Sequence, residues 1–226
     1  MMFAYGQGIR CVRFWKPPNK QSYSYRCARH EGGLLVRVLE GLGINVIRSG
    51  SECALNFDFL PAEQRIGSFA EHHALSASRC AQKTCFSRVV CGFHSGAIFN
   101  DCLLGGPRNQ ADLIHLLKLL RRKSYRFFAV VHLKVYGYQG VLQTECSETI
   151  EINPFVRDLS DSEIAESVAG IPENLVWLYD PGVRALPDFE HSFRRYLSEG
   201  SGDRNEYVSR LKLFLRTELT KAGKLK

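Results

Sequence analysis

The sequence predicts a mixed α/β fold: a mixed central sheet flanked by helices, with a helical C-terminal part. Three observations lead there. Leu34, Leu35, Val38, Leu39 and Leu42 recur at helical spacing ahead of short β-branched and aromatic runs. The run RFFAVVHLKV at 126–135 is apolar enough for a central strand. The last third carries helical patterns with recognisable starts.

Taken in order, residues 1–26 form an N-terminal arm, RCVRFWKPPNKQSYSYR, broken by Pro17-Pro18. Its cations and Trp15, Tyr23 and Tyr25 suit a phosphate backbone, or simply cover one edge of the core. The α/β core is expected over 27–150. A helix at 28–42 is punctuated by Gly41 and Gly43. Strands are expected at 45–48 and 54–60, a turn at 61–64, and a third strand at 66–74. Residues 75–107 read as a Cys-rich insertion holding a strand at 88–93. An amphipathic helix at 112–123 leads into the strand at 126–135. The helical region 151–226 opens on Ser160 and Glu163, a capping box for a helix at about 161–169. A helix at 188–198 and another from Asp203 to about Lys221 follow, the last with Tyr207, Val208, Leu211, Phe214 and Leu215 on one stripe.

Composition narrows the function. The chain has 226 residues, 45% hydrophobic and 23% charged, which is ordinary for a globular domain and excludes disorder as the default. A net charge of +7 with pI near 9.0 favours polyanionic partners, nucleic acid or an anionic membrane surface. No stretch approaches the roughly 18 apolar residues of a membrane span, and MMFAYGQGIR lacks a secretory h-region. A cytoplasmic location with reduced thiols is therefore expected for the eight cysteines.

Metal-dependent phosphodiester cleavage needs carboxylates that converge on a hard cation such as Mg²⁺. Glu31 opens the first helix, on the same face as Leu35 and Val38. Asp58 lies in the apolar run NFDFL, where a charge is costly unless paired or metal-bound. Glu71 follows thirteen residues later. If 54–60 and 66–74 are paired strands, Asp58 and Glu71 can lie side by side, with His73 pointing the same way as Glu71. The cations Arg48, Arg121, Arg122 and Lys123 are candidates for phosphate contacts.

The stretches HEGGLLVRVLEGLGINVI, NFDFLPAEQRIGSFAEHH and ADLIHLLKLLRRKSYRFFAVV resemble the PD-(D/E)xK nucleases, and most of all the TnsA-type transposon-end endonucleases. The resemblance covers about 25–140. It implies a restriction-endonuclease-like fold, a Mg²⁺-dependent DNA endonuclease, and Glu31, Asp58 and Glu71 as metal ligands. Phe57 stands where the pattern has Pro, and His73 where it has Lys.

The same region holds His72, His73, Cys80, Cys85, Cys91, His94 and Cys102, from which Cys80, Cys85, Cys91 and His94 would suit zinc. Their spacing lacks the paired C-x₂-C signature, so buried thiols are the simpler reading. Cys91 beside GFHSG lacks the G-x-S-x-G elbow and an orienting acid. Gly105-Gly106-Pro107 lacks the Lys-Ser/Thr of a P-loop. The competing expectation is a catalytically inactive nucleic-acid-binding or assembly protein, with or without a stabilising zinc, and with a protein partner on the C-terminal helices.

Overall fold

The computed structural model describes residues 11–14, 32–44, 46–49, 59–81, 88–137, 140–182, 192–199 and 204–225. The expected mixed α/β character is present. In chain order come β1 (Cys11–Phe14), α1 (Gly32–Gly41), β2 (Val46–Ser49), α2 (Ala62–Ala81), β3 (Arg88–Phe99), β4 (Cys102–Leu104), α3 (Gln110–Leu120), β5 (Arg126–Tyr136), β6 (Leu142–Ile152), α4 (Asp161–Ala169) and α5 (Arg204–Lys221). Two 3-10 turns, Glu173–Tyr179 and Phe193–Tyr196, lie between α4 and α5.

The main sheet has the order β4-β3-β5-β6, and its pairings among the described residues are all antiparallel, where a mixed sheet was expected. β1 and β2 form a separate antiparallel pair. Alternation along β5 divides the sheet into two faces. Phe127, Ala129, Val131, Leu133 and Val135 enter a large core with Leu35 and Leu39 of α1, Leu113 and Leu117 of α3, Ile164 of α4, and Leu211 and Leu215 of α5. Phe128 and Val130 point the other way, onto Ala62, Ile66 and Ala70 of α2. Gly92 and Gly96 of β3 let α2 come down on the sheet: a Cβ on Gly92 would lie 2.0 Å from the Ala70 carbonyl oxygen.

α4 starts where the sequence puts it, with the Ser160 side chain accepting from the Glu163 amide. The helix expected at 112–123 runs instead from Gln110 to Leu120, because Asn109 caps it by accepting from the Asp112 amide. The strand expected at 66–74 is instead the middle of α2. Ala62, Ile66, Ala70 and Ala74 recur every fourth residue and are buried, and Glu63 sits favourably in the first turn. Of the strand expected at 54–60, residues 54–58 lie outside the described residues, and Phe59 and Leu60 form a turn. Of the helix expected at 188–198, residues 188–191 lie outside them, and the rest holds the short turn Phe193–Tyr196. β6 runs through the boundary placed at 150 and was not foreseen. Residues beyond it stay tied to the rest: Val156 bridges Leu197, Phe155 bridges Ser124, and Leu159, Ile164 and Tyr207 share the large core.

Candidate functional site

The expected carboxylate set is not assembled as the sequence implied. Glu31 and Asp58 lie outside the described residues. Glu71 and His73 are on α2, where residues two apart point about 200° away from each other. Glu71 is exposed, whereas His73 is buried. The cross-strand argument that joined Asp58, Glu71 and His73 therefore falls, because it required 66–74 to be extended. Nor can His73 stand in for a lysine. Burial, followed by the neighbouring His94 and His72, lowers its pKa to about 2, so it is neutral at pH 7.

His73 belongs to a stack at the seam between α2 and β3. The Phe69 ring lies 4.7 Å from the His94 ring, and the His73 ring 5.8 Å from His94. His94 is fully buried, neither ring nitrogen has a hydrogen bond, and burial lowers its pKa to about 3. Cys91 points to the opposite face, into the large core, where burial pushes its thiol pKa up. Side chains three apart on a strand cannot share one tetrahedral ion, so the set Cys80, Cys85, Cys91 and His94 is not brought together. Cys85 lies outside the described residues, and Cys102 is exposed on β4. Among the described residues no three His, Cys, Asp or Glu side chains converge as a metal-holding group.

Of the cations expected to meet phosphate, Arg121, Arg122 and Lys123 are engaged within the chain, and the Arg48 side chain lies outside the described residues. Arg121 and Lys118 both pair with Asp161, and Arg122 pairs with Asp158, tying the end of α3 to the start of α4. Lys123 donates to the Leu119 carbonyl and lies 5.4 Å from the Phe99 ring centroid. Arg48 lies in β2, opposite Val12.

Two arrangements escaped the sequence reading. The first is a polar cluster on the α2 side of the sheet. His132 Nε2 and Lys134 Nζ both reach Glu145 Oε1, at 2.8 and 2.7 Å. The Lys134 hydrogen bond holds the Glu145 carboxyl below its usual range, with His132 adding to it. Glu63 and Ser78, on one flank of α2, bond to Arg126 and Tyr136 of β5. Glu71 lies on that flank by helical spacing, facing the strand that carries His132 and Lys134. Two polar residues at i and i+2 in an otherwise apolar strand were the available signal.

The second arrangement is a segregation of charge. Residues 1–50 hold eight Lys and Arg against two Glu, and 204–226 hold seven against two. The intervening 51–203 hold fifteen against nineteen acidic residues. α1, which carries Arg37 of the first basic segment, packs on α5, and the side chains of the other seven cations of 1–50 lie outside the described residues. On α5, Lys212 and Arg216 are four apart, exposed, and not ion-paired.

The chain matches no protein-family model and no curated protein. The features that bear on function are the exposed cations of α5 and the cluster on β5 and β6.

Proposed function

We propose that this protein binds DNA through the exposed cations of α5. The observation that supports it is the charge segregation: 204–226 hold seven Lys and Arg against two Glu, with Lys212 and Arg216 exposed and adjacent on the helix. Such cations favour a polyanion through counterion release. In an anisotropy titration with a labelled duplex, Lys212→Glu with Arg216→Glu should weaken binding at least tenfold. Charge reversal at Arg122, already paired with Asp158, should do far less. Binding unaffected by the α5 pair would end this reading. A cytoplasmic location goes with it.

The catalytic form of the same reading is a Mg²⁺-dependent endonuclease with a restriction-endonuclease-like core. The resemblance supports it, and so does the position of exposed Glu71 on the flank of α2 that faces His132 and Lys134. Mg²⁺ would supply an activated water and charge neutralisation. The described residues do not by themselves make up its ligand set. What the chain itself offers is a lysine beside a carboxylate and an imidazole, which can hold charge and relay a proton. Plasmid nicking with Mg²⁺ or Mn²⁺ tests it. Activity that survives Asp58→Ala and Glu71→Ala would remove those ligands from the site. Binding without nicking would leave the non-catalytic reading in place.

A further inference from the structure

We propose that two copies of this chain pair through β6, edge to edge and antiparallel, with Ser147 on the two-fold axis. The proposal stands independently of DNA binding.

β6 is an eleven-residue strand at the end of the sheet order, and among the described residues it pairs with β5 alone. Long, straight, unpaired edges are templates for another strand. The register says which groups are free. The Tyr125 amide donates to the Pro154 carbonyl, so residues 125 and 154 are a hydrogen-bonded pair in the register that continues into β5 and β6. Alternation from there makes Glu145, Ser147, Thr149 and Glu151 the non-hydrogen-bonded residues, whose N–H and C=O point away from β5. One observation confirms the direction: the Thr149 carbonyl accepts from Arg210 of α5, at 3.3 Å.

The sequence of β6, LQTECSETIEI, fits itself in one antiparallel register. With Ser147 opposite Ser147 of the second copy, Glu145 faces Thr149, Cys146 faces Glu148 and Thr144 faces Ile150; the pairing ends there, because the register with β5 shifts at Gln143. No glutamate directly faces a glutamate. Each glutamate is also already neutralised within its own chain: Glu145 by Lys134, Glu148 by Arg210 and Glu151 by Arg126. The outward-facing backbone groups of residues 145, 147 and 149 then meet those of 149, 147 and 145, which gives a symmetric ladder. Arg210 has to give up a long bond to the Thr149 carbonyl and keeps its pair with Glu148.

α5 adds a second contact. Leu213 is 66% exposed and sits three residues from Arg210, on the flank of α5 beside this edge. Across the two-fold axis that flank meets its own copy, so the same operation that pairs the strands covers Leu213.

Light scattering on the full chain, diluted from about 100 µM, reads the outcome, because a dimer falls apart with dilution. The expected mass is twice the 25.6 kDa chain at high concentration. Ser147→Pro removes an amide that points away from β5, so the ladder with β5 stays intact and the mass should halve with an unchanged circular dichroism spectrum. Should that variant not fold, Ser147→Cys decides. A hydrogen-bonded pair separates Cα atoms by about 5.5 Å, within disulfide reach, so mild oxidation should give a covalent dimer absent from the wild type. A wild-type monomer at high concentration, a dimer that survives Ser147→Pro, or no cross-link in Ser147→Cys would overturn the proposal.

Discussion

The two faces of the four-stranded sheet are built on different principles. One buries a deep apolar core under α1, α3, α4 and α5. The other carries a small apolar cluster under α2, and beside it His73, His94, Ser78 and Lys134 are buried as well. On the first face a side chain is worth what it fills. On the second, ionisable imidazoles are held close to an apolar seam, so that face should lose stability in acid. Position on a face, rather than burial, thus separates the residues that maintain the fold from those that could carry chemistry.

The largest test of this contrast is at the seam. Gly92→Ala places a Cβ 2.0 Å from the Ala70 carbonyl and 2.7 Å from the Ala74 amide, with no flexible side chain to yield. We expect a loss on the order of 3 kcal/mol, at the upper end for overpacking, and hydrogen exchange that rises first in 62–81. Leu117→Ala, in the deep core, should cost a comparable 2–5 kcal/mol but lower protection globally. If both variants lose protection everywhere alike, the two faces unfold as one unit and the distinction is lost.

The next effect depends on acid. His73 and His94 have folded pKa values lowered to about 2 and about 3, against 6.5 in the unfolded chain. A lowered histidine contributes stability that is complete above pH 6.5 and is lost as pH falls, because the unfolded state takes up protons the native state refuses. Between pH 6.5 and 5 each histidine should cost about 2 kcal/mol. No carboxylate lies opposite His94: its partner across β3–β5 is Val130, with His132 and Lys134 further along that face, and Phe69 and His73 cover it from α2. On β1, which also packs there, Cys11 and Arg13 are the titratable groups, and their side chains lie outside the described residues. Urea titrations at pH 7.5 and 5 should show the loss in wild type and about half of it in His94→Phe. An equal loss in both would place the acid sensitivity elsewhere.

What could be read from the sequence follows the same division. The helices and strands of the deep face announce themselves: α1, α3, β5, α4 and α5 have apolar stripes or runs bounded by caps, and the large core repays each with burial. α2 and β6 do not. α2 covers its sheet with alanines and one isoleucine, a stripe so small that Ile66, Ser68 and Ala70 can be read as alternation. β6 is half polar because it is an edge, so no apolar run marks it. The candidate site inherited the error on α2, since placing Glu71 beside Asp58 depended on a hairpin that a helix replaces. The charge segregation, by contrast, was countable from the start, and what it lacked was the exposure of Lys212 and Arg216 on α5.

The smallest test lies on the deep-core side, where pH acts with the opposite sign. Asp180 ends the turn Glu173–Tyr179, and its Oδ1 accepts from the Gly182 amide at 2.7 Å. The Ser95 hydroxyl pins the Gly182 carbonyl to β3, and among the described residues no cation pairs with the carboxyl. Burial raises its pKa to about 6, only partly offset by the Gly182 bond. A raised carboxyl favours the fold while protonated, so its contribution is complete below the unfolded value of 3.8 and is lost as pH rises through 6. The difference amounts to at most about 3 kcal/mol and is reduced by the solvent that reaches the carboxyl edge. Asp180→Asn keeps an acceptor for the Gly182 amide and carries no charge to bury. It should therefore raise the melting temperature at pH 8 and leave it nearly unchanged at pH 4. The acid loss from His73 and His94 should persist in this variant, because α2 and the Asp180 turn lie on opposite faces of β3. If Asp180→Asn also abolishes that loss, the two faces are coupled through the strand between them.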